Sequence, residues 1–344
     1  MSTQNLEQFD GFLRVHGLLK HGETAQWTEL SGGVSSEIWR VDLPGRTICI
    51  KRALPKLKVL EDWRAPVSRN MYEWKWLRFA ATHQPQSVPR PLAHDAEAGL
   101  FAMSFLPSQQ YPVWKSQLLN GVVIPGVAAQ VGKLLAKLHD ASANRLDLAK
   151  QFDSLENFRA LRLEPYLLAT AVRHPDLAAQ LCALAQCTAG TSGALVHGDV
   201  SPKNILIGPN GPVLLDAECA WYGDPAFDLA FCLNHLLLKS LVRRDCIPAL
   251  LRSFSQLVDS YFAGINFESR SRLELRAAHL LPALMLARID GKSPVEYLVD
   301  KGAEQEFVRR SARSMLSSRL TRLAPIAEFW SRRLRAWVDR TNKS

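Results

Sequence analysis

Apolar positions along the chain change period about a third of the way in. Over residues 28–51 they alternate in short runs, which predicts three strands, and from residue 125 onward they recur at helical spacing. Residues 38–43 and 47–51 alternate about Pro44-Gly45, so they predict an antiparallel hairpin whose last strand, Ile48-Cys49-Ile50, delivers Lys51. A helix is expected over residues 68–81, with Glu73 near its start. Short strands around residues 95–98 follow, then a buried strand over residues 100–106 that Pro107 closes. Val127, Val131, Leu134, Leu135 and Leu138 form a stripe on a long helix ending at His139-Asp140. Further helices are expected over residues 176–187, 226–241, 247–263, 269–288 and 303–318. The strand signal returns once among them, where Ile205-Leu206-Ile207 and Val213-Leu214-Leu215 flank a polar turn at Asn210-Gly211. The pattern predicts an α+β chain, with an antiparallel β-sheet lobe over residues 1–106 and a mainly helical lobe over residues 107–344.

That second hairpin matters because of what its ends carry. His197-Gly198-Asp199 precedes it, Asn204 follows the aspartate by five positions, and the second strand ends at Asp216 with Glu218 just beyond. A tight hairpin brings both ends to one edge, so Asp199, Asn204 and Asp216 are expected to converge. Transfer of a γ-phosphoryl group to an alcohol needs a group to orient or deprotonate the hydroxyl, and divalent metal to neutralise the phosphates. Asp199 suits the first task. Mg²⁺ is a hard cation that takes one or two protein oxygens plus phosphate oxygens, so Asn204 and Asp216 suit the second, with Glu218 as a further ligand. Lys203 is placed to offset negative charge on the transferred group. His197 is expected to support the loop through hydrogen bonds instead of carrying protons. Taken singly, H-G-D is common, and a D-x-E at a strand end is often a solvated turn.

The first lobe is expected to hold ATP. In Ser31-Gly32-Gly33-Val34-Ser35-Ser36, Gly32 and Gly33 allow backbone N–H groups to approach phosphates, and Ser35 adds a hydroxyl; the same pair is also an ordinary hairpin turn. Lys51 is expected to orient phosphates with Glu73 as its partner. Its bland alternative is a solvated strand end.

The order H-G-D, x4-N, strand, turn, strand, D-x-E resembles the aminoglycoside phosphotransferase and choline kinase family, which has the protein-kinase-like fold. The segment Tyr222-Gly223-Asp224-Pro225-Ala226-Phe227-Asp228-Leu229-Ala230 is similar to that family's GDPxxDLA. The resemblance implies that ATP and Mg²⁺ bind between two lobes and that Asp228 braces the catalytic loop. It also implies that Met103, Phe105 and Leu106 contact adenine through the backbone. Residues 50–59, with Trp63 and Pro66, and residues 216–223 look like the corresponding segments of 5-methylthioribose kinases. Arg288 stands alone where those enzymes carry an arginine pair. Arg288 and Lys292, at an expected helix end with Asp290, are assigned to a hydroxylated substrate; cations there also complement the helix dipole.

Composition adds bounds. The chain has 344 residues, 47% hydrophobic and 22% charged, enough for two lobes with a sizeable core. Six scattered cysteines without a C-x-x-C pair argue against disulfides and zinc. No apolar leader or bilayer-length apolar run is apparent, so a cytoplasmic location without a membrane partner is expected. The net charge of +9 gathers after Phe307 among helically spaced arginines. That spacing suits solvated helix faces better than a nucleic-acid site. The expected partner is a small hydroxylated molecule: a methylthioribose-like sugar, an amino alcohol or an aminoglycoside-type antibiotic. A non-catalytic nucleotide-binding scaffold is the rival of another class. Oligomeric state is not written in the pattern.

Overall fold

The structure is a computed structural model that describes residues 3–30, 35–56 and 66–341. The chain divides into two compact units, Met1–Pro107 and Ser108–Ser344.

The first unit is built on a five-stranded antiparallel sheet in the order β1-β2-β3-β5-β4. Its strands are β1 (Gln26–Glu29), β2 (Ser36–Leu43), β3 (Arg46–Ala53), β4 (Pro91–Asp95) and β5 (Leu100–Ser104). Strands β2 and β3 pair in continuous register from Ser36↔Ala53 to Leu43↔Arg46, across the Pro44-Gly45 turn. Alternation then sends Trp39, Val41, Ile48 and Ile50 into the core. Against them lies α1 (Thr3–Val15), whose Phe9, Phe12 and Leu13 are buried. The sequence pattern shows those three residues at helical spacing, yet no element is expected before residue 25. Helix α2 (Arg69–His83) carries Glu73 and packs on β3, β4 and β5.

The second unit begins with α3 (Trp114–Leu119), α4 (Pro125–Ser142), α5 (Leu146–Gln151) and α6 (Leu155–Phe158). A π-helical stretch at Arg159–Leu168 contains Pro165 and leads into α7 (Ala169–Arg173) and α8 (Ala178–Gly190). Two small sheets follow. In one, β6 (Ala194–Val196) pairs with β9 (Trp221–Gly223); in the other, β7 (Ile205–Gly208) pairs with β8 (Gly211–Leu214). Gly211 opens β8, so the turn residues are Pro209 and Asn210, one position earlier than expected. The remainder is α9 (Pro225–Val242), α10 (Ile247–Phe262), α11 (Arg270–Asp290), α12 (Gly302–Ser318) and α13 (Leu323–Thr341).

Helix α9 is the centre of this unit and is buried nearly throughout. It is also the one helix among the described residues long and apolar enough, by length and composition, to cross a membrane, but Asp228, Asn234, His235 and Lys239 interrupt its apolar run and 94% of it is buried inside the protein. Its apolar surface faces the chain's own α4, α10 and α11. Helices α4 and α10 approach so closely at Gly132 that a Cβ there would lie 2.3 Å from the Leu257 carbonyl oxygen. Several arginines of α12 are tied to other segments: Arg309 Nε lies 2.8 Å from Asp290 Oδ2, and Arg313 pairs with Asp176.

Candidate active site

In the first unit, alternation along β3 turns Lys51 inward beneath α2. Its Nζ lies 2.7 Å from Glu73 Oε1, and both side chains are almost fully buried. Neighbouring Cys49 is pushed up to about 12, mainly by burial, so it stays a neutral thiol. Arg69, in the first turn of α2, is buried and donates to the carbonyls of Ser35, Leu54 and Pro66. It thereby ties the start of β2 to the end of β3. Gly32, Gly33 and Trp63 lie outside the described residues. Ser35 is buried, with its carbonyl committed to Arg69 and to the N–H of Leu54. Met103 sits in the β5 ladder opposite Cys49 and Pro91, whereas Phe105 and Leu106 follow the strand's end.

In the second unit, the loop between β6 and β7 is fixed by carboxylates. Asp228, in the first turn of α9, accepts from the N–H of His197 and of Gly198, both at 2.8 Å. His139 of α4 lies 3.3 Å from the same carboxylate through Nε2, and its Nδ1 lies 2.9 Å from Tyr261 Oη. His197 Nδ1 accepts from the N–H of Asp199 and its Nε2 donates to Leu215 O, an arrangement that uses one neutral tautomer. Burial lowers the His197 pKa, although nearby carboxylates oppose the shift. Gly198 takes φ of +77°, and an added Cβ would meet the Cys219 carbonyl oxygen at 2.5 Å. The position accordingly admits only glycine without rearrangement.

Three donors converge on Asp199 Oδ2: Asn204 Nδ2 at 2.8 Å, Arg162 Nη2 at 2.8 Å and Lys203 Nζ at 3.2 Å. Asp199 Oδ1 takes part in none of these contacts. Asn204 lies in the short 3₁₀ turn Pro202–Asn204, and its Nδ2 also reaches the Asp199 carbonyl. The amide oxygen, Oδ1, is left out of those bonds. Lys203 is half-exposed and its pKa is raised, first by Asp199, with Asp216 adding to the effect. Asp216 itself adopts a left-handed φ of 66°, uncommon for a residue with a Cβ. It is near enough to act electrostatically on both Lys203 and His197. Glu218 is buried and acts on Arg162.

The donor set can be tested against Mg²⁺. Among the described residues no three His, Cys, Asp or Glu side chains are grouped to hold a metal. Asn204 and Asp216 offer hard oxygens, which suits a cation that completes its shell with phosphate oxygens and water. The residues fit Mg²⁺ and lack the softer ligands of a zinc site.

Arg162 has no counterpart among the residues expected from sequence. It projects from the π-helical stretch, donates through Nε to Gly198 O at 2.7 Å and is buried. Burial works against its charge, but Asp199 and neighbouring groups outweigh it and raise the pKa. The two residues assigned to substrate have different surroundings. Arg288 is buried and donates through Nη1 to Tyr166 Oη and Ser293, whereas the Lys292 side chain is exposed. Asp290 is committed to His174 at 2.8 Å and to Arg309.

Residues 26–255 match the phosphotransferase enzyme family (APH). A methylthioribose kinase of Bacillus anthracis is 24% identical over 277 residues, covering 73% of this chain and 70% of its own length. A choline/ethanolamine kinase family protein of Mesorhizobium loti superimposes with a TM-score of 0.53 at 15% identity, over 97% of this chain and 100% of its own. A spectinomycin phosphotransferase solved with ADP and spectinomycin gives a TM-score of 0.50 at 12% identity, over 97% and 98%. The fold is kinase-like, as the resemblance implied. The chain belongs to the phosphotransferase enzyme family and is a phosphotransferase that acts on a hydroxyl group of a small molecule.

Proposed function

We propose that the protein transfers the γ-phosphoryl group of ATP, with Mg²⁺, to a hydroxyl of a small sugar-like or polyol metabolite. The observation that carries this reading is the asymmetry of Asp199: three donors hold Oδ2, and Oδ1 is left to meet an acceptor hydroxyl. Asp199 orients that hydroxyl and takes its proton. The acceptor oxygen forms the new bond to phosphorus, the bond from the γ-phosphorus to the bridging oxygen breaks, and ADP leaves with the electron pair. Magnesium neutralises charge on the phosphates when bound, and Asn204 Oδ1 and Asp216 are the oxygens assigned to it. Glu218, two positions after Asp216, is a further candidate. Lys203 is assigned to the transferred group, and Lys51, with Glu73, to the nucleotide phosphates. The ADP complex of the spectinomycin enzyme supports nucleotide use.

The name of the methylthioribose kinase relatives makes a thio-sugar the first acceptor to try, ahead of amino alcohols and aminoglycosides. The test is ATP consumption across those classes, repeated with Asp199→Asn. Loss of turnover by about 10²-fold or more is expected for the variant. Turnover at the wild-type rate in Asp199→Asn would refute the assignment of the base.

A further inference from the structure

One region of the second unit holds buried polar groups that nothing among the described residues satisfies. On α9, Asn234 Oδ1 and both ring nitrogens of His235 are buried without hydrogen-bond partners among the described residues. The same holds for Arg288 Nε on α11 and for Tyr297 Oη in the 3₁₀ turn Glu296–Leu298. Buried polar atoms are normally paired, and each orphan costs free energy unless something else meets it.

These groups lie close to one another and to Asp199. Lys239, one turn beyond His235 on α9, is fully buried with Nζ 4.6 Å from the centre of the Tyr297 ring. His235 packs edge-on against Phe231 at 5.5 Å, and the guanidinium of Arg162 lies 5.8 Å from that same ring. Tyr166 links the other side, with Arg288 5.5 Å and Arg162 5.7 Å from its ring centre. Two rings, Phe231 and Tyr166, are therefore shared between the cluster and Arg162, the partner of Asp199. Helix α3, which carries Lys115, packs against both α9 and the 202–204 turn.

The charge of the region is one-sided. Burial, with Lys239, Arg288, Lys203 and Lys115 all acting in the same direction, holds the His235 imidazole neutral. The carboxylate that faces Lys239 is Glu296, and it is already committed to an ion pair with Lys115. Burial, aided by Lys115 and Arg288, pushes Lys239 down to about 7. A site for a cationic amino alcohol or aminoglycoside would place carboxylates where these cations stand.

We propose that this cluster is the acceptor subsite and that it selects a hydroxylated small molecule bearing an anionic group, a carboxylate or a phosphate. The anion would meet Lys239, Arg288 Nε, Tyr297 Oη and His235, and the hydroxyl would meet Asp199 Oδ1. This rests on the phosphotransferase reading above and narrows its acceptor.

The test is calorimetric titration of the full chain, loaded with Mg²⁺ and a non-hydrolysable ATP analogue, with ribose, methylthioribose, choline, ribonate and ribose 5-phosphate. Ribonate or ribose 5-phosphate is expected to bind at least about tenfold more tightly than ribose, a typical value for one charge-assisted hydrogen bond. The preference should fall to near unity in Lys239→Met and shrink in Tyr297→Phe, with thermal unfolding confirming that both variants fold. The two anions distinguish a carboxylate site from a phosphate site. Equal or tighter binding of ribose, methylthioribose or choline would overturn the proposal, as would an anion preference that survives both substitutions. ATP turnover measured on the same compounds separates the two readings. Turnover of neutral methylthioribose alone would overturn the anionic subsite and leave the kinase, whereas an anion preference without turnover of any acceptor would do the reverse.

Discussion

Two polar regions of the second unit are buried to a similar degree and finished differently. Around the loop that bears Asp199, donors and acceptors are matched: Asp228 takes two backbone N–H groups, His197 uses both ring nitrogens, and Asp199 Oδ2 takes three donors. Ser201 Oγ is an orphan there. Around Lys239, by contrast, orphans gather: Asn234 Oδ1, both His235 ring nitrogens, Arg288 Nε and Tyr297 Oη. A matched network fixes a geometry before any ligand arrives, as electrostatic preorganisation requires. An unmatched one weakens the unliganded protein and leaves binding energy to be gained when complementary groups enter.

The comparison predicts opposite responses to deletion, and the largest belongs to Asp228. Asp228→Ala leaves two buried N–H groups without an acceptor, so urea unfolding should show a loss of about 3–5 kcal/mol together with loss of activity. A stable, active Asp228→Ala protein would remove the distinction between the two regions. Next is Gly198→Ala, where the positive φ and the Cys219 carbonyl act together; about 1–3 kcal/mol of destabilisation is expected, with turnover falling as the Asp199 geometry shifts.

Lys239→Met should go the other way. With its folded pKa near 7 against an ordinary 10.5, the unfolded chain binds more protons between those values. Wild-type stability therefore rises as pH climbs through that window, and the cost of the buried charge is full below it. A methionine in this place cannot be protonated, so the variant should be more stable than wild type at about pH 6, and the gap should narrow toward about pH 9.5. Parallel unfolding curves at the two pH values read this directly, and a gap that widens with pH would show that Lys239 is stabilised by partners. The smallest effect is expected for Tyr297→Phe, within about 0.5 kcal/mol of wild type or slightly more stable, because the deleted hydroxyl has no partner to lose. A loss above about 2 kcal/mol would mean that the hydroxyl is already satisfied in the free protein.

Legibility followed sequence distance. The contact of Asn204 with Asp199 spans a single turn, so spacing alone placed the two together. The hairpin carrying Asp216 was readable because two apolar runs flank a polar turn. Helix α1 went unread although Phe9, Phe12 and Leu13 share a face; its motive for folding is the sheet that covers it. Arg162 carried no local signal at all. One arginine in a helical stretch is unremarkable until the fold sets it 2.8 Å from Asp199, 37 positions later (199 − 162).

What the sequence alone determined is the chemical inventory and its local order: hard oxygens around a hairpin, a lysine on a strand, and glycine where the chain must turn tightly. Such features depend on neighbours within a few residues, where backbone sterics and alternation leave few options. Only the tertiary structure decided which carboxylate oxygen is held and which is left out. Packing between α9, α11 and the 296–298 turn likewise decided that four cations act on one neutral imidazole. Burial and electrostatics are set by residues far apart in the chain, and no local pattern encodes them.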